Sequence, residues 1–327
     1  MASEEPSLPE MNRIRQAHKV LKEYIHYTPV MTSSSLDKFS GINLHFKCEN
    51  FQKTGSFKIR GCMFAVDNFC KEKTIPPILV THSSGNHGVA LSKCAKIRGL
   101  QAHVIMPDTN KYKQSAVKAN GAEIHLCGDS EQARVDMTNQ IMKELGPAAV
   151  FISPHSDPDV IAGQGTVGIE ILEQVPHVDA IVVAVSGGGL AAGICIAAKS
   201  IKPSIHIYAA EPESANDCAQ SFAAKKRITL KTSPVTIADG LRQSVGTLTW
   251  PVLQEHLTDV ITVTEEEIIS AMYLSWERLK IIVEPSAAAA IAASFKLKHP
   301  SSSTGVQNVC VVVCGGNVDL ASIPPKP

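Results

Sequence analysis

Short apolar runs alternate with longer amphipathic stretches along most of the chain. Pro77-Ile78-Leu79-Val80-Thr81 predicts a strand, and Ser83 to Arg98 the helix that follows it. Ala102 to Met106 predicts a second strand, with a Lys-rich helix around residues 110–119. Glu123 to Leu126 predicts a third, followed by a helix from Ser130 to Leu145. Further on, Ala180 to Val185, Ile205 to Ala210 and Val309 to Val313 are nearly continuous apolar runs, and a small-residue helix runs from Leu190 to Ser200. Continuous apolar strands are those of a parallel sheet covered on both faces. The alternation predicts an α/β fold with right-handed crossovers. Strand–helix units cluster at about 76–153 and 178–320, which predicts two lobes with a ligand cleft beyond the carboxyl ends of the strands. The polar ends, residues 1–10 and 324–327, read as frayed.

Composition narrows the function. Lys plus Arg and Asp plus Glu are 31 each, so the net charge is zero, and aromatic residues make up 5%. Neither nucleic acid nor an anionic membrane is an expected partner. Nine scattered cysteines without a C-x-x-C pair predict free thiols rather than a zinc ribbon or a disulfide scaffold. With no apolar leader or bilayer-length segment, the expected location is the cytoplasm.

Five segments carry candidate chemistry. In Thr54-Gly55-Ser56-Phe57-Lys58, the lysine follows a turn and opens an apolar helix. There it is either a solvated surface lysine or, held in a dry cleft, a near-neutral amine able to form Schiff bases. Ser83-Ser84-Gly85-Asn86-His87-Gly88 stands at a strand–helix junction and packs together more hydroxyl, amide and glycine groups than an N-cap needs. It suits a carboxylate. Gly187-Gly188-Gly189 links a buried strand to a helix, as a tight turn or as a phosphate cradle; Walker and Rossmann spacings are absent. Glu211 and Asp217 form either a solvated acidic loop or oxygen ligands for a hard cation. Cys314, before Gly315-Gly316-Asn317, is either a buried structural thiol or a group facing a cleft ligand.

Together, and in this order, these segments resemble the fold-type II pyridoxal phosphate enzymes, the tryptophan synthase β-like family, from about residue 12 to 322. Within it the likeness is to the eukaryotic serine racemases and the short threonine/serine dehydratases. The resemblance implies two lobes, each a mostly parallel, open twisted sheet flanked by helices. The large cofactor-binding domain would be residues 1–75 plus 154–327, the small domain 76–153. It implies that Lys58 carries pyridoxal phosphate in Schiff-base linkage, with Phe57, Asn86, Gly187, Gly188, Gly189, Leu190 and Cys314 around the cofactor. Ser83, Ser84, Gly85, Asn86, His87, Arg134, His155 and Asp239 would meet the substrate. Lys58 and Ser84 would be the catalytic pair, one on each face of Cα. Glu211, Asp217 and the Ala215 carbonyl would hold Mg²⁺, or Mn²⁺ or Ca²⁺. Ser33, Ser34, Lys53, Thr54, Lys280 and Asn317 would serve an activating ATP, although Val89 and Asn120 replace the Gln and Tyr of vertebrate-type racemases.

The implied reaction interconverts L- and D-serine, with elimination of serine or threonine to a 2-oxo acid and ammonia. A catabolic threonine/serine dehydratase and an aspartate racemase are the alternatives. Cys314, in place of the frequent Ser and as in some serine dehydratases, keeps the former open. A single serine, Ser156, where aspartate-specific relatives carry a cluster, disfavours the latter. His155 stands where racemases commonly carry Asn. The resemblance also implies a homodimer, and predicts none of the feedback-regulatory domain of biosynthetic threonine deaminases.

Overall fold

The structure is a computed structural model that describes residues 7–72, 76–83, 85–108, 111–297 and 306–327. The chain enters through α1 (Met11–Leu21), β1 (Val30–Thr32), α2 (Ser34–Ser40), β2 (Asn43–Cys48) and α3 (Lys58–Glu72). A strand–helix series follows: β3 (Ile78–His82), α4 (Asn86–Arg98), β4 (Ala102–Pro107), α5 (Lys111–Ala119), β5 (Glu123–Cys127), α6 (Glu131–Leu145) and β6 (Ala149–Phe151). Then come α7 (Pro158–Gln174), β7 (Ala180–Ala184), α8 (Gly189–Ile201), β8 (His206–Pro212), α9 (Asp217–Ala224), α10 (Trp250–His256) and β9 (Asp259–Val263). The chain closes with α11 (Glu265–Leu274), α12 (Pro285–Ser294) and β10 (Asn308–Val313).

Among the described residues the strands form two sheets. One has six strands in the order β1-β2-β10-β7-β8-β9, parallel except for the β1–β2 pair. The other has four parallel strands in the order β5-β4-β3-β6. Every residue of β7 is buried, as its unbroken apolar sequence requires of a strand covered on both faces.

Small residues set the helix layer. An added Cβ at Gly193 of α8 would lie 2.5 Å from Ile161 O of α7, and one at Gly163 of α7 would lie 2.5 Å from Gly61 Cα of α3. Glycines therefore let α3, α7 and α8 pack backbone to backbone, which fixes where α3 begins.

A buried ionic network pins the same helix. Arg60, fully buried, donates to both carboxylate oxygens of Glu49 (2.7 Å each) and of Glu170 (2.6 and 2.9 Å). Lys47, equally buried, donates to Glu170 at 2.5 Å and to Thr28 O at 2.7 Å. Arg60→Met should lower unfolding free energy by about 3–5 kcal/mol, because two carboxylates lose their main partner in the dry interior. Urea titration of the cofactor-loaded protein checks this; a loss below about 1 kcal/mol would mean the network contributes little.

Several sequence expectations need correction. Strands β1, β2, β6 and β9 were not expected; all four lie at or next to sheet edges, and β1 and β6 are only three residues long. The helix expected from Ser83 starts at Asn86. Glu211 lies inside β8, rather than after a strand. The C-terminal residues are not frayed: Tyr273 Oη donates to Pro324 O (3.1 Å) and Lys326 pairs with Glu277 (2.7 Å). Leu8 likewise packs on the main core. All nine cysteines are free, as expected. Among the described residues no helix is long and apolar enough to cross a membrane.

Candidate active site

Lys58 opens α3 beside the carboxyl end of β10. Phe57 N donates to Cys314 O at 3.1 Å, Ser56 bridges Gly315, and Gly316 N donates to Gly55 O at 2.9 Å. These contacts turn Lys58 inward. Its Nζ donates to Pro154 O at 2.8 Å and lies 5.1 Å from the centre of the Phe57 ring. Burial lowers its pKa to about 8, so a minor but useful fraction of the amine, roughly a fifth, is neutral near physiological pH. The surface-lysine reading is thereby excluded.

The lysine faces a cavity of about 380 Å³, ordinary for a small-molecule site. One wall is the glycine run between β7 and α8. Gly188 has φ +88°, and a Cβ at Gly187 would lie 2.4 Å from His155 Cγ. Gly187 O is turned away, accepting from Thr249 Oγ1 at 2.8 Å and from Gly246 N at 3.2 Å. The first amides of the thirteen-residue α8 are therefore left to receive an anion, helped by the helix dipole. His155 lines the same wall; burial and the neighbouring Lys58 charge lower its pKa to about 3, so the imidazole is neutral.

Another wall is the start of α4. Ser83, Gly85, Asn86 and His87 all line the cavity, while Ser84 lies outside the described residues. Ser83 Oγ accepts from Gly85 N at 3.0 Å and shapes the turn. Asn86 Nδ2 donates to Glu284 Oε1 at 2.7 Å, and Asn86 Oδ1 accepts from Asn317 Nδ2 at 2.9 Å. His87 is tied below: Nε2 faces Ile152 O at 3.1 Å and Nδ1 faces Cys62 Sγ at 3.3 Å. That pairing makes Nε2 the donor, and leaves His87 as support for the loop.

Cys314, Arg134 and Asp239 also line the cavity. Arg134 donates to Asp129 O at 2.8 Å. Asp239 accepts from Lys113 Nζ at 2.7 Å, which joins α5 of the four-stranded side to the six-stranded side across the cavity. Lys113 and Glu284 were not picked out from sequence, yet both are buried cavity-lining charges. Lys113 sits in a Lys-rich helix where periodicity does not separate it from its exposed neighbours. Glu284 precedes Pro285 as the N-cap of α12, a usable but weak signal. Burial raises the pKa of Glu284 to about 7 against the pull of Lys113, and its Oε2 has no hydrogen-bond partner.

The acidic pair lies elsewhere. Glu211 and Asp217 are both buried, as is Ala215. Glu211 accepts from Cys218 N (3.0 Å) and Ala219 N (2.9 Å), and Asp217 from Val245 N (2.8 Å). Burial, reinforced by Asp217, raises Glu211 to about 8; burial raises Asp217 to about 6. The solvated-loop reading is excluded, and two crowded buried carboxylates suit a hard cation.

The six residues assigned to a nucleotide do not line the cavity. Thr54, with φ +72° and a buried hydroxyl lacking a partner, meets Asn317 through a 2.8 Å hydrogen bond to its carbonyl. Lys53 directly precedes it. Ser33 contacts Ser35 at the start of α2, and Lys280 donates to Glu277 O, so their hydrogen bonds stay within their own segments.

A buried near-neutral lysine, an amide cradle for an anion and an uncharged thiol around one cavity fit pyridoxal phosphate. Comparison with known proteins agrees. The chain is 46% identical over 313 residues to mouse serine racemase, covering 95% of this chain and 92% of that one. It superposes on the structure of maize serine racemase with TM-score 0.91 and 44% identity, over 96% of this chain and 95% of that chain. It superposes on a pyridoxal 5'-phosphate-dependent aspartate racemase with TM-score 0.92 and 36% identity, over 98% and 99%. Residues 21–315 match the pyridoxal-phosphate dependent enzyme family, and the chain belongs to that family.

Proposed function

We propose that this protein is a serine racemase that also eliminates water from serine and threonine. The observation that carries the reading is the placement of Lys58 between the Ser83–His87 loop and the glycine cradle, in a cavity of amino-acid size. Bound pyridoxal phosphate supplies the electron sink that allows a Cα proton to leave. The amides at Gly187 to Leu190 hold its phosphate, Asn86 its ring hydroxyl, Cys314 its ring nitrogen, and Phe57 packs beside Lys58. Lys58, once substrate has taken its place, moves the Cα proton on one face; the Ser84 hydroxyl serves the other. Ser83, Gly85 and Asn86 receive the substrate carboxylate, with His155, Asp239 and Arg134 closing the far side. When the β-hydroxyl departs before Cα is reprotonated, the product is a 2-oxo acid and ammonia.

The same reading takes residues 1–75 plus 154–327 as the large domain and 76–153 as the small one, in a cytoplasmic homodimer. Glu211, Asp217 and the Ala215 carbonyl hold Mg²⁺ as a structural ion, away from the reacting atoms. Mg²⁺ should therefore raise the melting temperature of the wild-type protein by several degrees and that of a Glu211→Gln variant not at all. An equal rise in both would exclude this pair as the site. ATP is assigned to Thr54 and Asn317 with Lys53, Ser33, Ser34 and Lys280.

Incubation with L-serine, pyridoxal phosphate and Mg²⁺ tests the function, with chiral chromatography and 2-oxo acid measured in one tube. D-serine alongside pyruvate is the expected result. Pyruvate without D-serine would make the protein a dehydratase, and turnover of aspartate alone would make it an aspartate racemase.

A further inference from the structure

We propose that His103, Glu123 and His125 form a binding site for a transition-metal dication of the Zn²⁺ kind, apart from both the cavity and the Glu211–Asp217 pair. The placement follows from register. His103 lies opposite Glu123 across the β4–β5 ladder, and Ile105 opposite His125, so strand alternation puts all three side chains on one face. Their ligand atoms lie within 4.8 Å of one another. His103 Nδ1 is 2.9 Å from His125 Nε2, and each imidazole is 3.7 Å from a Glu123 oxygen. Ligands about 2.0–2.1 Å from a tetrahedral Zn²⁺ are about 3.3 Å apart, so small side-chain rotations would seat the ion.

The donor set chooses the metal. Two imidazoles and one carboxylate favour Zn²⁺, Cu²⁺ or Ni²⁺ over Mg²⁺. The imidazoles are mostly covered, with 12% and 18% of their side chains exposed, whereas Glu123 is 64% exposed. Two ligands are thus prepositioned, and the third stands at an open rim that admits the ion and a water. Without metal the two imidazoles share an N–H···N hydrogen bond. None of the three residues lines the cavity. They sit near the amino ends of the parallel strands, opposite the chemistry. Among the described residues β5 is an edge strand paired only with β4, so a metal bridging the two staples the edge of the four-stranded sheet.

The test uses cofactor-loaded protein, stripped with chelator and then saturated with Mg²⁺ so that hard-cation sites are filled. Zn²⁺ titration by calorimetry should show one site per chain. Co²⁺ should give d–d absorbance without a thiolate charge-transfer band. His125→Gln and Glu123→Gln should each weaken Zn²⁺ binding by about tenfold or more and remove the rise in melting temperature that Zn²⁺ gives the wild type. Glu123 is exposed enough for its variant to fold normally, and serine turnover without Zn²⁺ should match wild type in both variants. Equal Zn²⁺ affinity in wild type and both variants would overturn the proposal. So would a thiolate band, or no Zn²⁺ bound by the wild type.

Discussion

A Lys58→Ala protein should fold, purify without the yellow colour of the bound cofactor, and lose racemisation and elimination together by at least about 10⁴-fold. One residue has this reach because, in the proposed mechanism, Lys58 both anchors the cofactor and moves a Cα proton. Folding should survive, since α3 is held by Arg60 and by glycine packing rather than by Lys58. The amine is suited to both tasks because burial brings its pKa to about 8, so neutral and protonated forms are both available near neutral pH. Absorbance spectra and product assays on the reconstituted variant check this. A variant that keeps the covalent chromophore would move the anchoring role to another lysine.

Ser84→Ala should give the opposite pattern, with colour and pyruvate formation largely kept and D-serine formation down by about 10²–10⁴-fold. On the proposed mechanism, loss of the hydroxyl removes the proton donor on that face of Cα, while Lys58 still starts the reaction and the β-hydroxyl still leaves. The split between the two products is the informative readout, since a merely misshapen loop would lower both. Its flanking residues Ser83 and Gly85 line the cavity, where a base opposite Lys58 has to stand. If the variant racemises serine at the wild-type rate, the two-base assignment falls.

The parts of this protein that were legible in sequence are those where one requirement dominates. Largely apolar runs marked β3, β4, β7 and β10, because strands covered on both faces admit few polar residues; His103 in β4 is one that they do admit. Lys58, Asn86 and Gly187–Gly189 stood out because turns and helix starts concentrate rare residue types. The rest depends on tertiary partners. Lys113 and Lys111 share a helix, yet the first is buried against Asp239 and the second exposed, a difference set by what α5 packs on. The Arg60–Glu49–Glu170 network joins residues up to 121 positions apart, 170 minus 49, and no local pattern announces it. The metal-ligating geometry of His103 and His125 exists only once β4 and β5 pair in register.

The central claim is that Lys58 and Ser84 exchange protons on opposite faces of Cα, and a deuterium experiment tests it most directly. L-serine is turned over in deuterated water by the enzyme loaded with pyridoxal phosphate and Mg²⁺. At early times the D-serine is isolated and its Cα isotope read by mass spectrometry. The account predicts D-serine carrying one Cα deuterium from the first turnover, because the proton taken on one face is not the one returned on the other. D-serine that retains its original Cα proton, or pyruvate with no D-serine, would contradict it.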